Sequence, residues 1–161
     1  MEYLNPVAML VAAISALVIG FIWYNPKVFG TAWMHAAGMT DEKIKGGNMA
    51  KIFILALIFA FMLATALPGI VIHQMGALSL IGGDASQALP SYSAFLADYS
   101  NAFRTFKHGA LHGVLTGIFI VLPVLGTNAL FERKSAKYIF INSGYWIVTL
   151  AVMGGIICGW Q

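Results

Sequence analysis

Histidine is the residue type in this chain best suited to chemistry. His108 and His112 are four residues apart, which puts both imidazoles on one face of a helix. His73, beside Gln74, stands near the end of a separate apolar run. Imidazole is a good ligand for zinc and copper. Three imidazoles from two adjacent helices supply most of a coordination shell, leaving Asp84, Asp98 or water to complete it. Two other roles fit the same residues. Neutral imidazoles relay protons or sense pH near neutrality, and histidines at a membrane surface also bond water, lipid headgroups or backbone carbonyls. The two-histidine, one-glutamate pattern of metalloproteases is missing, because Gly109, Ala110 and Leu111 fill the interval between His108 and His112. His35 falls in a different loop and cannot join the set.

A second constellation is aromatic and polar. Asn142, Tyr145, Trp146 and Thr149 share one helical face. Asn128 and the run Glu132-Arg133-Lys134 close the preceding apolar segment, and Trp23, Tyr24 and Asn25 close the first one. As a ligand site, this is a polar pocket in which Glu132 or Arg133 meets a charged group. As structure, it is an aromatic belt with interhelical hydrogen bonds, and Glu132 pairs with a neighbouring base. Other constellations are lacking: there is no glycine-rich phosphate loop, no Ser-His-Asp arrangement, and no mid-span carboxylate of the kind many proton-coupled carriers use. Cys158 is the only cysteine, so an internal disulfide is excluded, and its apolar surroundings suit a buried, inert thiol.

The elements that must position these residues follow from hydropathy. The 161 residues are 60% hydrophobic and only 9% charged, against about a quarter charged in soluble domains. Mean hydropathy is +0.82. So few ionic groups cannot cover a water-facing surface, and the implied partner is the lipid bilayer. A net charge of +3, with nine basic residues dispersed along the chain, offers no footprint for nucleic acid.

A membrane-spanning helix needs about 20 apolar residues, and four segments qualify: residues 6–24, 50–80, 108–131 and 138–160. Helices are the expected form, since lipid offers no partner for backbone polar groups. The first segment has Glu2 and no basic residue before it and no small-residue cleavage pattern after it, so it reads as a retained span rather than a signal peptide. The second is too long for one straight crossing, and Pro68-Gly69 predicts a kink there. The third contains Pro123. The expected fold is therefore all-α: a polytopic membrane protein of four transmembrane helices, forming a single domain over residues 1–161.

Basic residues orient it. Lys27, Lys43, Lys45 and Lys51 lie in the first loop and Arg133, Lys134 and Lys137 in the third, whereas the second holds only Arg104 and Lys107. The positive-inside rule puts the first and third loops in the cytoplasm, so both termini lie outside a bacterial inner (cell) membrane. The histidines His73, His108 and His112 then share the outer level. Val28, Phe29, Trp33 and Met34 suggest a short interfacial helix on the inner side. On the outer side, Tyr92, Phe95, Leu96, Tyr99, Phe103 and Phe106 recur at helical spacing, which predicts an amphipathic helix feeding the third span, or a lid.

Small residues four apart let helix backbones approach closely in lipid. The stripes are Ala8, Ala12, Ala16 and Gly20; Ala56, Ala60 and Ala64; Gly109, Gly113 and Gly117; and Ala151, Gly155 and Gly159. A tight bundle follows, and the same stripes suit a homo-oligomer.

Two stretches carry a resemblance. Gly20, Trp23-Tyr24-Asn25-Pro26, Phe29-Gly30 and Trp33-Met34 form one. Asn128, Phe131-Glu132-Arg133-Lys134, Ile141-Asn142-Ser143-Gly144-Tyr145-Trp146 and Met153-Gly154 form the other, with His112-Gly113 between them. Together they resemble the bacterial membrane family catalogued as domain of unknown function 1761. The resemblance implies a small four-helix membrane protein and no activity, substrate or cofactor. The function expected first is non-enzymatic: binding of a small apolar ligand or a partner protein within the bundle. A metal-binding protein, possible enzyme included, with His73, His108 and His112 as ligands is the alternative, and an accessory subunit of a larger membrane complex is the third.

Overall fold

Pro6 opens the first helix, where its missing N–H leaves nothing unpaired. Asn5 caps it: its Oδ1 accepts the amides of Val7 and Ala8, each at 3.0 Å. This local logic repeats along the chain. Thr40, Asn48, Thr105 and Ser135 cap four further helices with a side-chain oxygen. A computed structural model describes residues 3–161, the side chain of Asp41 excepted; Met1 and Glu2 lie outside the described residues.

The described residues form helices α1 (Pro6–Trp23), α2 (Gly30–Ala37), α3 (Asp41–Lys45), α4 (Met49–Ala66), α5 (Pro68–Val71), α6 (His73–Leu80), α7 (Pro90–Tyr99), α8 (Phe106–Thr116), α9 (Leu122–Phe131) and α10 (Ala136–Gly159). No strand occurs among them. Four stretches are long and apolar enough to cross a membrane: Pro6–Trp23, Met49–Val71, Phe106–Phe131 and Ala136–Gly159. Phe21, Met62, Phe119 and Val124 point outward from these spans and are exposed on the isolated chain, as lipid-facing side chains must be.

The second span does break, but beyond the proline. Pro68 sits at the first position of α5, and Leu67 before it is helical, with φ −59° and ψ −35°. Proline is tolerated at a helix start. The backbone opens only at Ile72 (φ −113°, ψ 103°), after which α6 begins at His73. In the third span, residues Gly117–Val121 form a π-helical turn. Pro123 lacks an N–H and its ring crowds the carbonyl four residues back, within that turn, which accounts for the wider winding. The expected outer amphipathic helix is shorter than its aromatic stripe implies. It is α7, ending at Tyr99; Phe103 lies in a turn and Phe106 opens α8.

The core is made largely of small side chains. Ala12, Ala13 and Ala16 of α1, Ala60 and Ala64 of α4, and Leu150 and Met153 of α10 are buried, with α1 packed on both α4 and α10 and α8 packed along α10. A Cβ at Gly109 would strike the carbonyl of Gly154, and one at Gly113 the carbonyl of Leu150; at Gly117 it would sit 2.7 Å from the Cα of Ile147. The glycine stripe of the third span thus lets two backbones touch. The stripe expected on α10 is used otherwise: the Gly109 and Gly113 positions face Gly154 and Leu150, while Gly155 and Gly159 make room for Phe106.

Candidate metal centre at the terminus-bearing end of the bundle

His108 and His112 ride on the first two turns of α8, and His73 is the first residue of α6. The extended backbone at Ile72 ends α5 and starts α6 at the right level. The three rings converge. Nε2 of His73 lies 2.8 Å from Nε2 of His108 and 3.3 Å from Nε2 of His112. Ring centroids are 4.8 Å apart for His73 and His108, 5.1 Å for His73 and His112, and 4.6 Å for His108 and His112. One nitrogen from each residue falls within 4.8 Å of the others. His73 is exposed and the other two are half-buried.

The supports of this cluster lie outside the sequence expectation. Gln74, only 3% exposed, donates its Nε2 to the carbonyls of Tyr99 at 2.7 Å and Ala102 at 3.0 Å. That ties the start of α6 to the segment leading into α8. Its only sequence signal is an amide in an apolar run, which is costly to bury unless bonded. Phe103 takes a left-handed backbone, φ 62°. Its ring stands 5.6 Å from that of His73 and 5.0 Å from that of His108. Its carbonyl accepts the Thr105 amide at 2.8 Å, and Thr105 Oγ1 in turn accepts the His108 amide at 3.2 Å. Buried Cys158 links the two backbones from below, its thiol 3.2 Å from the Val71 carbonyl and 3.4 Å from that of Phe103.

The carboxylates considered as a fourth ligand are absent from this group, which contains histidines alone. Asp84 is committed to its own turn: its Oδ1 accepts from the amide of Ser86 at 2.9 Å and from its hydroxyl at 2.7 Å. Those two bonds hold the Asp84 carboxyl below its usual range. Asp98 is exposed on α7.

The aromatic and polar set at the other end is only partly assembled. Trp23 donates Nε1 to the Ile141 carbonyl at 3.0 Å, Tyr24 donates its hydroxyl to Asn142 Oδ1 at 3.0 Å, and Tyr145 donates to the Ala16 carbonyl at 3.1 Å. Tyr24 packs on Tyr145 and Trp33, both at 5.3 Å, and Trp146 on Tyr145 at 5.0 Å. Asn25 accepts from the Lys27 amide at 2.9 Å, within its own turn. Asn128, Glu132 and Arg133 are exposed on α9 and beyond it. The arrangement clamps α1, α2 and α10 together, with each named hydroxyl and indole donor spent on an interhelical bond.

Fold and site together define a multi-pass membrane protein of four apolar helices with a histidine triplet at the end where helices α6 and α8 begin. The chain belongs to the family described as protein of unknown function (DUF1761), whose model matches residues 7–158. No curated protein and no solved structure matches it.

Proposed function

We propose that the protein is a metal-binding membrane protein in which His73, His108 and His112 hold one zinc or copper ion at the outer face of the cell membrane. In this reading both termini lie on that side, which the distribution of basic residues supports. The observation carrying this reading is the convergence of the three imidazoles, one nitrogen from each lying within 4.8 Å of the others. Ligands about 2.1 Å from a tetrahedral ion stand about 3.4 Å apart. The separation between His73 and His112 is 3.3 Å, close to that spacing, and that between His73 and His108 is shorter, 2.8 Å. A neutral ring nitrogen offers either one N–H or one lone pair. His73 Nε2 therefore completes a hydrogen bond with one of its two neighbours and not with both, whereas a cation accepts a lone pair from all three.

The donor set also points to an open centre. Closed structural zinc sites use four protein ligands, while sites that exchange a ligand use three and leave the fourth position to water or substrate. Three neutral imidazoles leave the charge of a divalent ion unbalanced by protein, which makes a bound water more acidic. Cobalt(II) titration of the metal-free protein tests the reading. One equivalent is expected to bind with the visible bands of a four-coordinate ion, and His112→Ala to abolish them. Failure of the wild type to take up cobalt, or uptake indifferent to His112→Ala, would overturn it.

A further inference from the structure

The chain between Ile72 and Phe103 forms an arm that stands apart from the bundle. From His73 to Arg104 the one buried residue is Gln74. Helix α6 packs on α5, its neighbour in the chain, and α7 packs extensively on no helix. Leu80 and Leu89 are exposed, while Met75 and Leu96 are the arm's partly buried apolar contacts with the core. Backbone departures mark both roots, the extended Ile72 and the left-handed Phe103. Each root is anchored. Ile72 is buried, and Arg104 donates Nε to the Cys158 carbonyl at 3.0 Å and Nη2 to the Trp160 carbonyl at 3.3 Å. We propose that an ion held by the three histidines is the clamp that closes this arm onto the bundle, so that occupancy of the centre governs how the arm docks. This role presupposes the ion of the proposed function and adds a conformational consequence to it.

The ligands divide between a fixed element and a movable one. His108 and His112 belong to α8, whose backbone meets that of α10 at Gly109 and Gly113, so their half of the centre is rigid. His73 is the first residue beyond the opening at Ile72, and fixing its ring fixes the direction in which α6 leaves. An ion bound to all three therefore bridges arm and bundle. Without it, the base of the arm is held by Gln74, whose Nε2 reaches the carbonyls of Tyr99 and Ala102, and by a hydrogen bond between imidazoles. Gln74 alone is a weak hold. Its Oε1 is buried with no partner among the described residues, which offsets part of what the two donated bonds contribute. Segments with few buried apolar groups open at low free energy. A ligand that binds only the closed form suppresses opening by about the ratio of its concentration to its dissociation constant. The coupling is reciprocal, so whatever holds the arm closed also tightens the ion.

The test is hydrogen–deuterium exchange of the protein in lipid nanodiscs, metal-free and with zinc at about a hundred times its dissociation constant. Zinc uptake is measured on the same samples. Amides of α6 and α7 are expected to exchange up to about a hundredfold more slowly with zinc, while those of α1 and α10 keep their rates. Gln74→Leu removes the tether and no ligand. It is expected to bind zinc about tenfold more weakly, with cobalt(II) bands like those of the wild type, and zinc should restore protection of its arm. Stoichiometric zinc uptake with unchanged exchange in α6 and α7 would overturn the clamp and leave the metal reading standing. Absence of zinc uptake would overturn both. By the same reciprocity, wild-type zinc affinity in Gln74→Leu would overturn the clamp too.

Discussion

Phe103 holds φ at 62°, a backbone region that glycine enters freely and a bulky side chain does not. The cost is about 1–2 kcal/mol. It is sustained because the Phe103 carbonyl is claimed by both Thr105 and Cys158. Replacement therefore separates backbone from ring. Phe103→Gly is expected to be more stable than Phe103→Ala by about 1 kcal/mol in thermal unfolding, although both lose the ring beside His73 and His108. Equal stability of the two variants would contradict a strained turn. The histidine triplet itself was legible in the sequence, since i, i+4 spacing and shared membrane level bring His73, His108 and His112 to one place. Gln74, Phe103 and Cys158 were not. Their roles depend on which carbonyls lie opposite them after folding, and periodicity says nothing of that.

At the scale of elements, the four spans were legible to within two residues at most ends, because hydropathy and length suffice. The breaks were harder. Pro68 suggested the kink, yet the chain opens at Ile72, since a proline at a helix start disturbs little. The aromatic stripe from Tyr92 to Phe106 suggested one helix, yet the turn at Phe103 divides it, because helical spacing persists by chance across a turn. The glycines of α8 set its distance from α10 and thus the position of His108 and His112. Gly113→Ala would drive a methyl into the Leu150 carbonyl. A loss of about 2 kcal/mol or more is expected in chemical or thermal unfolding, with weakened metal binding. Gly69, in α5, has open space where a Cβ would stand. There Gly69→Ala is expected to be neutral or stabilising by up to about 1 kcal/mol.

At the scale of the whole molecule, the proposed orientation decides which side of the membrane the histidine triplet faces. Seven basic residues in the first and third loops against two in the second support the proposed orientation, with the histidine triplet outside. Cys158, the only cysteine, is buried, so single-cysteine variants give a clean signal with a membrane-impermeant maleimide. In intact cells Ser86→Cys is expected to label and Lys137→Cys to label only after permeabilisation. The reverse pattern would turn the bundle over. The aromatic and polar set at the opposite end clamps α1, α2 and α10. It was legible as a set, but not which members would meet: Trp23, Tyr24, Asn142 and Tyr145 bond across helices, while Asn128, Glu132 and Arg133 lie exposed.

The measurement that bears most directly on the metal centre is the metal content of the purified protein by mass spectrometry, beside a His108→Ala/His112→Ala double variant. Near-stoichiometric zinc or copper in the wild type, lost in the variant, is the predicted result. A wild type free of both metals after purification without chelators, and unable to take them up on addition, would contradict it.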